Sequence, residues 1–178
     1  MTMIVQKENK VLRKSAQNVG NPASAGIKTL IEKMAKAMFR EPDGIGIAAP
    51  QIGESLRVFL VAGEVISSTT EELRQKGKPA EQTYVAFINP VFKKVSVKKN
   101  KDVEGCLSVR GIYGEVTRPE KLTIEYFDEH GKKHSRGASG LFARVIQHEM
   151  DHLEGTLFID KAKNVHKIQA EMPQTAQT

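Results

Sequence analysis

Apolar residues recur at helical spacing in two parts of the chain. Ile27, Leu30, Ile31, Met34 and Met38 repeat at steps of three and four, which predicts an amphipathic helix over 22–40. Asn21 supplies a capping side chain and Pro22 a residue preset for the first turn, while Pro42-Asp43-Gly44 ends the run. The second periodic stretch has two adjoining stripes, one of Leu141, Val145, His148 and His152 and one of Phe142, Ile146, Glu149 and Leu153. Arg144, Gln147, Asp151 and Glu154 take the opposite side. Ser139 is placed to cap this helix and Gly155 to stop it.

The remaining apolar runs are short and read as strands. Leu56 to Ala62 is a buried one; Tyr84 to Ile88 and Val91 to Lys98 are two more, separated by Asn89-Pro90. Ile112 to Thr117 and Leu122 to Phe127 follow, and a turn around Gly131 leads into a short strand from Lys132. Gly63 to Thr83 reads as a long surface loop with one helical turn at Glu71 to Arg74. Residues 1–20 read as an ordered arm, and the tail from about 161, poor in apolar residues, is expected to fray. The pattern predicts one α+β domain over 1–178, its mostly antiparallel sheets packed around the C-terminal helix with an N-terminal amphipathic helix beside them.

Three polar residues interrupt the apolar stripes, and they change the picture. His148 and His152 stand four apart on one helical face with Glu149 between them, the spacing that a small divalent cation needs. Pointing into the core, each must find a partner or cost stability. The plain alternative is a pair of core histidines bonded to backbone carbonyls. A metal site needs a third ligand, and one zinc-protease pattern places a His where Phe158 stands, so that pattern fails. Glu171 is a possible ligand from a later segment, as in another protease class. His130, His134 and His166 read as surface residues. Cys106, the only cysteine, is by default a small buried hydrophobe. Joined to the two imidazoles, its thiolate would leave one open position for water, the layout of a hydrolytic site.

At 178 residues the chain is the size of one domain. It has no apolar run long enough to span a bilayer, and its first residues lack the apolar core of a secretory signal. One cysteine cannot form an internal disulfide, which fits a reducing compartment; a cytoplasmic protein is expected. The net charge of +6 is densest from Lys93 to Lys101, where charged and apolar positions partly alternate as on a half-exposed strand leading into a turn. A solvated strand is its plain reading, and transient attraction to an RNA-rich surface such as the ribosome a second one.

Gly44 to Gln51 has almost no side-chain bulk, so backbone or substrate can approach closely. It lacks the third glycine of a dinucleotide fingerprint. A tight structural turn and a peptide-binding edge remain equal readings of it.

Gly44-Ile45-Gly46-Ile47-Ala48-Ala49-Pro50-Gln51, Glu104-Gly105-Cys106-Leu107-Ser108 and Gln147-His148-Glu149-Met150-Asp151-His152 together resemble the three signature motifs of the peptide deformylase family, in that family's order. The likeness extends to Val11-Leu12-Arg13, Asn89-Pro90 and Leu157-Phe158. Ile47 replaces a more usual Leu, Arg110 stands where Pro is common, and the 63–83 loop looks long. The resemblance implies a hydrolase that removes the formyl group from N-formylmethionyl nascent peptides, with neither DNA nor a membrane as partner. It implies Cys106, His148 and His152 as ligands of one divalent cation, ferrous iron in the cell, replaceable by zinc, nickel or cobalt. It implies Glu149 as general base and acid, and Gln51 with the Leu107 N–H as oxyanion donors. Gly46 would pair with the substrate backbone, Ile45, Val145 and His148 would wall the methionine pocket, and Glu104 would form an ion pair with Arg118 behind Cys106.

Overall fold

The computed structural model describes residues 2–67 and 82–167. Among the described residues three α-helices, α1 (Ala25–Met38), α2 (Gly63–Ser67) and α3 (Gly140–Leu153), accompany eight strands. These are β1 (Gly46–Ala48), β2 (Val58–Ala62), β3 (Tyr84–Val95), β4 (Lys99–Glu104), β5 (Ile112–Pro119), β6 (Lys121–Phe127), β7 (Lys133–Ser139) and β8 (Lys163–Lys167). One sheet runs β1-β2-β3-β6-β7 and a smaller one β4-β5-β8, every pairing antiparallel. The α+β class and the antiparallel sheets agree with the sequence pattern. No helix among the described residues is long and apolar enough to cross a membrane.

Helix α1 starts later than the Asn21-Pro22 pair suggests. Ser24 is its N-cap, its Oγ accepting from the Ile27 N–H, while the Asn21 side chain closes a separate turn by accepting from Ala23 N–H. Both side chains have the capping chemistry, and Ser24 is the one next to the first buried apolar residue, Ile27. Ile27, Leu30, Ile31, Met34 and Met38 are then buried, the two methionines completely.

The loop expected over 63–83 opens instead as helix α2, because Val65, 2% exposed, anchors a turn against the core. The helical turn expected at 71–74 lies outside the described residues. The two strands expected on either side of Asn89-Pro90 are one strand with a bulge between Ile88 and Val91. Asn89 absorbs the irregularity at φ 48, a left-handed conformation that Asn tolerates better than most residues. Its Oδ1 accepts from Val19 N–H and its Nδ2 donates to Val19 O, both at 2.8 Å, which ties the N-terminal arm to the sheet. Asn89→Ala removes both bonds and leaves a β-carbon at positive φ; a loss of about 2 kcal/mol is expected, read as a melting temperature about 4–8 °C lower.

Two strands escape the pattern altogether. In β4 every residue but Glu104 is exposed, and in β8 all five are. Backbone pairing with β5 holds them, so the segment expected to fray is a strand as far as Lys167. Fully exposed strands give no alternation of apolar residues to read.

Helix α3 lies between the two sheets. That placement buries Arg144 and Gln147, each 7% exposed, and half-buries Asp151, against the expectation that they face away from the core. The side opposite the apolar stripes meets β4 and β5 rather than water. Ser139 occupies the N-cap position but its side chain makes no capping bond. Gly155, at φ 72, ends the helix as expected; a β-carbon there would lie 2.9 Å from the backbone of Arg13 and Lys14.

Candidate active site

Helix α3 and the turn after β4 bring Cys106, His148 and His152 together. Their donor atoms all lie within 4.8 Å of one another, with Cys106 Sγ 3.2 Å from His152 Nε2. The Ser108 N–H points at the same sulfur from 3.4 Å. His148 is oriented from behind: its Nδ1–H donates to Glu104 Oε2 at 3.0 Å, which leaves Nε2 to face the cluster. A histidine fixed by a carboxylate through one nitrogen presents the other as a ligand, and a thiol with two imidazoles is a donor set for iron, zinc, nickel or cobalt.

Glu104 is itself held by two guanidinium groups. Arg118 donates from Nε to Oε1 at 2.6 Å and from Nη2 to Oε2 at 2.8 Å, and Arg144 Nη1 donates to Oε1 at 2.6 Å. Arg118 also reaches Asp151 Oδ2 at 3.0 Å, and Arg144 reaches Val116 O and Asn100. The Glu104–Arg118 pair that the family likeness implies is present. Arg144, Asp151 and Ser108 are parts of the site that the sequence reading missed. For Arg144 a signal existed, since it stands four residues before His148 on the same helix.

Burial favours a proton on Glu104, but hydrogen bonds from Arg118 and His148 outweigh it and hold its carboxyl far below the usual range. Burial likewise works against charge on His148, and hydrogen bonds to Cys106 and Glu104 overcome it, pushing that pKa well above its ordinary value. His152 moves the other way, well below, through burial and then the charges of His148 and Arg118.

Glu149, 3% exposed, has its pKa pushed up to about 7 by burial. Its Oε2 and the Nδ1 of His152 are buried atoms with no hydrogen-bond partner among the described residues. Native interiors seldom leave such atoms unsatisfied. A polar substrate beside the cluster would satisfy the Glu149 oxygen, and a thiol with two imidazole nitrogens within reach of one another is a donor set that suits a cation, so the residues fit a metal.

Across from α3, Gly46 begins β1. A β-carbon on it would lie 2.5 Å from Glu149 Oε1 and 2.9 Å from Val145 Cγ1, so only glycine lets this strand pass so near the acid. Gln51 follows in a short 3-10 turn. Its Oε1 accepts from Ala48 N–H at 2.8 Å, which turns Nε2 toward Ser108 Oγ and Cys106 Sγ, at 3.3 and 3.6 Å. A cavity of about 420 Å³ opens onto this ground, bordered by Ile45, Gly46, Gln51, Leu107, Val145 and Glu149 among others. Every site residue named from the sequence therefore borders one space, except His152, which meets it through Cys106 Sγ at 3.2 Å. His130 and His166 are exposed and His134 is paired with Asp128, all outside the cluster, while Glu171 lies outside the described residues.

A thiol and two imidazoles arranged to share one cation, with a protonatable acid beside them and room for a substrate, define a metal-dependent hydrolase. The polypeptide deformylase family model matches residues 1–168, and the chain belongs to that family. Among curated relatives, the peptide deformylase of Pelodictyon phaeoclathratiforme is 41% identical over 153 residues, 83% of this chain and 75% of that protein. The one from a Picosynechococcus is 37% identical, covering 93% and 81%. Among solved structures, peptide deformylase from Thermotoga maritima superposes with a TM-score of 0.78 at 33% identity, covering 92% of this chain and 98% of that one. The Synechococcus elongatus enzyme, solved in complex with actinonin, gives 0.76 at 34%, covering 90% and 78%. The chain is thus a hydrolase that removes the N-formyl group of N-formylmethionyl nascent peptides.

Proposed function

We propose that Cys106, His148 and His152 hold one divalent cation, and that the other residues of the cavity carry substrate binding and proton transfer. The observation that supports this most directly is the meeting of those three donors beside a buried acid whose Oε2 has no hydrogen-bond partner among the described residues. When bound, the cation supplies Lewis acidity, lowering the pKa of water from 15.7 to about 7.

The chain's own groups do the rest. The free edge of β1 at Gly46 pairs with the extended substrate backbone, and Ile45, Val145 and the His148 ring wall the methionine pocket, apolar surfaces that suit an unbranched thioether. Gln51 Nε2, its direction fixed by the Ala48 bond, and the Leu107 N–H donate to the formyl oxygen as it gains negative charge, worth about 2.7–4 kcal/mol per donor in comparable sites. Glu149 takes a proton from the attacking water and returns it to the departing amine; a pKa near 7 serves both halves of that exchange. Cleavage of the formyl C–N bond releases formate and a free N-terminal methionine.

The resident cation in the cell is ferrous iron, with zinc, nickel or cobalt able to replace it. The thiolate in the ligand set makes an iron site sensitive to oxidation. Residues 1–178 act as one catalytic domain in the cytoplasm, and the excess of basic side chains supports transient contact with the ribosome.

Cys106→Ser tests the assignment. Metal content after anaerobic purification is expected to fall, with loss of formate release beyond the roughly 10–100-fold that outer-shell changes cost, while the melting curve stays cooperative. A protein that keeps metal and activity without the thiol would instead draw its third ligand elsewhere, as a protease using Glu171 would.

A further inference from the structure

The mouth of the cavity is bridged by an ion pair that the hydrolysis itself does not use. Arg110, in the turn after Cys106, donates from Nη1 to Glu41 Oε2 at 3.0 Å and from Nη2 to Glu41 Oε1 at 2.8 Å. Glu41 lies just beyond α1, so this fork joins two lips that are 69 residues apart in sequence. Both residues border the cavity together with Asp43.

A peptide with its formyl end beside Glu149, laid along the free edge of β1, has one direction in which to continue. Toward Ala48, Ala49 and Gln51 the chain is at most 1% exposed, which leaves no channel. Toward Pro42 and Asp43 the surface is open. The residues that follow the methionine therefore pass between the lips that Arg110 and Glu41 join.

The charges there are not balanced. Glu41 and Asp43 face one guanidinium, and both of its terminal nitrogens already donate to Glu41. We propose that the Arg110–Glu41 fork is a specificity determinant that discriminates against acidic side chains at the second and third substrate positions. This rests on the deformylase site assigned above. A substrate carboxylate meets two like charges at the lips, and the one guanidinium there is already neutralised by Glu41; a neutral side chain meets no such opposition. Because Arg110 is 57% exposed and Glu41 21%, the discrimination is a few-fold and is screened by salt.

The test compares kcat/KM of the metal-loaded enzyme on two C-terminally amidated peptides, formyl-Met-Ala-Glu and formyl-Met-Ala-Gln. The acidic-to-neutral ratio is expected to be below one in the native enzyme. Arg110→Ala lowers it about two- to fivefold further, the size that exposed ion pairs give. Glu41→Gln frees the guanidinium and raises the ratio by a similar factor, and both shifts shrink at high ionic strength. Ratios that stay at the native value in both variants overturn the proposal. So do ratios that move the same way in both, the result of merely loosening the lips. A native enzyme that releases formate from neither peptide removes the site assignment first, and the fork with it.

Discussion

Glu149→Gln is expected to lower kcat for formate release by about 10²–10⁴-fold, the span that positioned proton transfer contributes, with metal content unchanged. Glutamine has nearly the same shape, so the contacts of this buried position beside Gly46 and Val145 survive. What disappears is the ability to accept and return a proton. A carboxyl held near pKa 7 by burial is poised between its two forms, whereas an amide has only one. The cation's ligands are other side chains, so metal analysis separates lost proton transfer from lost metal. Glu149→Ala should show the same kinetic defect plus a cost for the space it leaves, which would appear as a lower melting temperature. A glutamine variant that keeps more than about a tenth of native turnover, against the hundredfold minimum general acid–base chemistry gives, would remove Glu149 from proton transfer.

The parts of this site that could be read from residues alone are those set by local spacing. His148, Glu149 and His152 sit within two turns of one helix, and helical periodicity alone turns them to the apolar side. Cys106 is 42 residues from His148, and nothing local ties the two; the family likeness, not the spacing, linked them. Arg144 shows the limit most clearly. A helix with one apolar side normally turns its charges to water, and only the second sheet, formed by β4, β5 and β8, converts that side into an interior. Two of those strands have exposed side chains throughout or nearly so, hence no apolar pattern announces the sheet that buries Arg144. Asn89 is a smaller case: Asn-Pro reads as an interruption, yet a bulge lets β3 continue through it.

That buried side of α3 carries the largest stability effect expected in the molecule. Glu104→Ala removes the one carboxylate shared by Arg118, Arg144 and His148, leaving Asp151 as the remaining acid on Arg118. Glu104, Arg118 and Arg144 are 4–8% exposed at their side chains, so water cannot replace the lost partner. Breaking a buried pair from one side costs about 3–5 kcal/mol because the other charge stays behind; in a domain of this size the melting temperature falls by about 6–20 °C. The contrast is Lys101→Ala, which removes an ion pair to Glu115 from a side chain 58% exposed; water replaces the lost partner there, and no measurable change in melting temperature is expected. Glu104→Ala should also weaken metal binding about 10–100-fold, since His148 Nδ1 loses the acceptor that orients its ring. Thermal melts with and without added zinc separate the two effects. Should the apo and zinc-loaded variants both melt within about 1 °C of their native counterparts, less than the 2–4 °C that one kcal/mol produces, then the guanidinium groups do not depend on Glu104 and its role behind His148 falls.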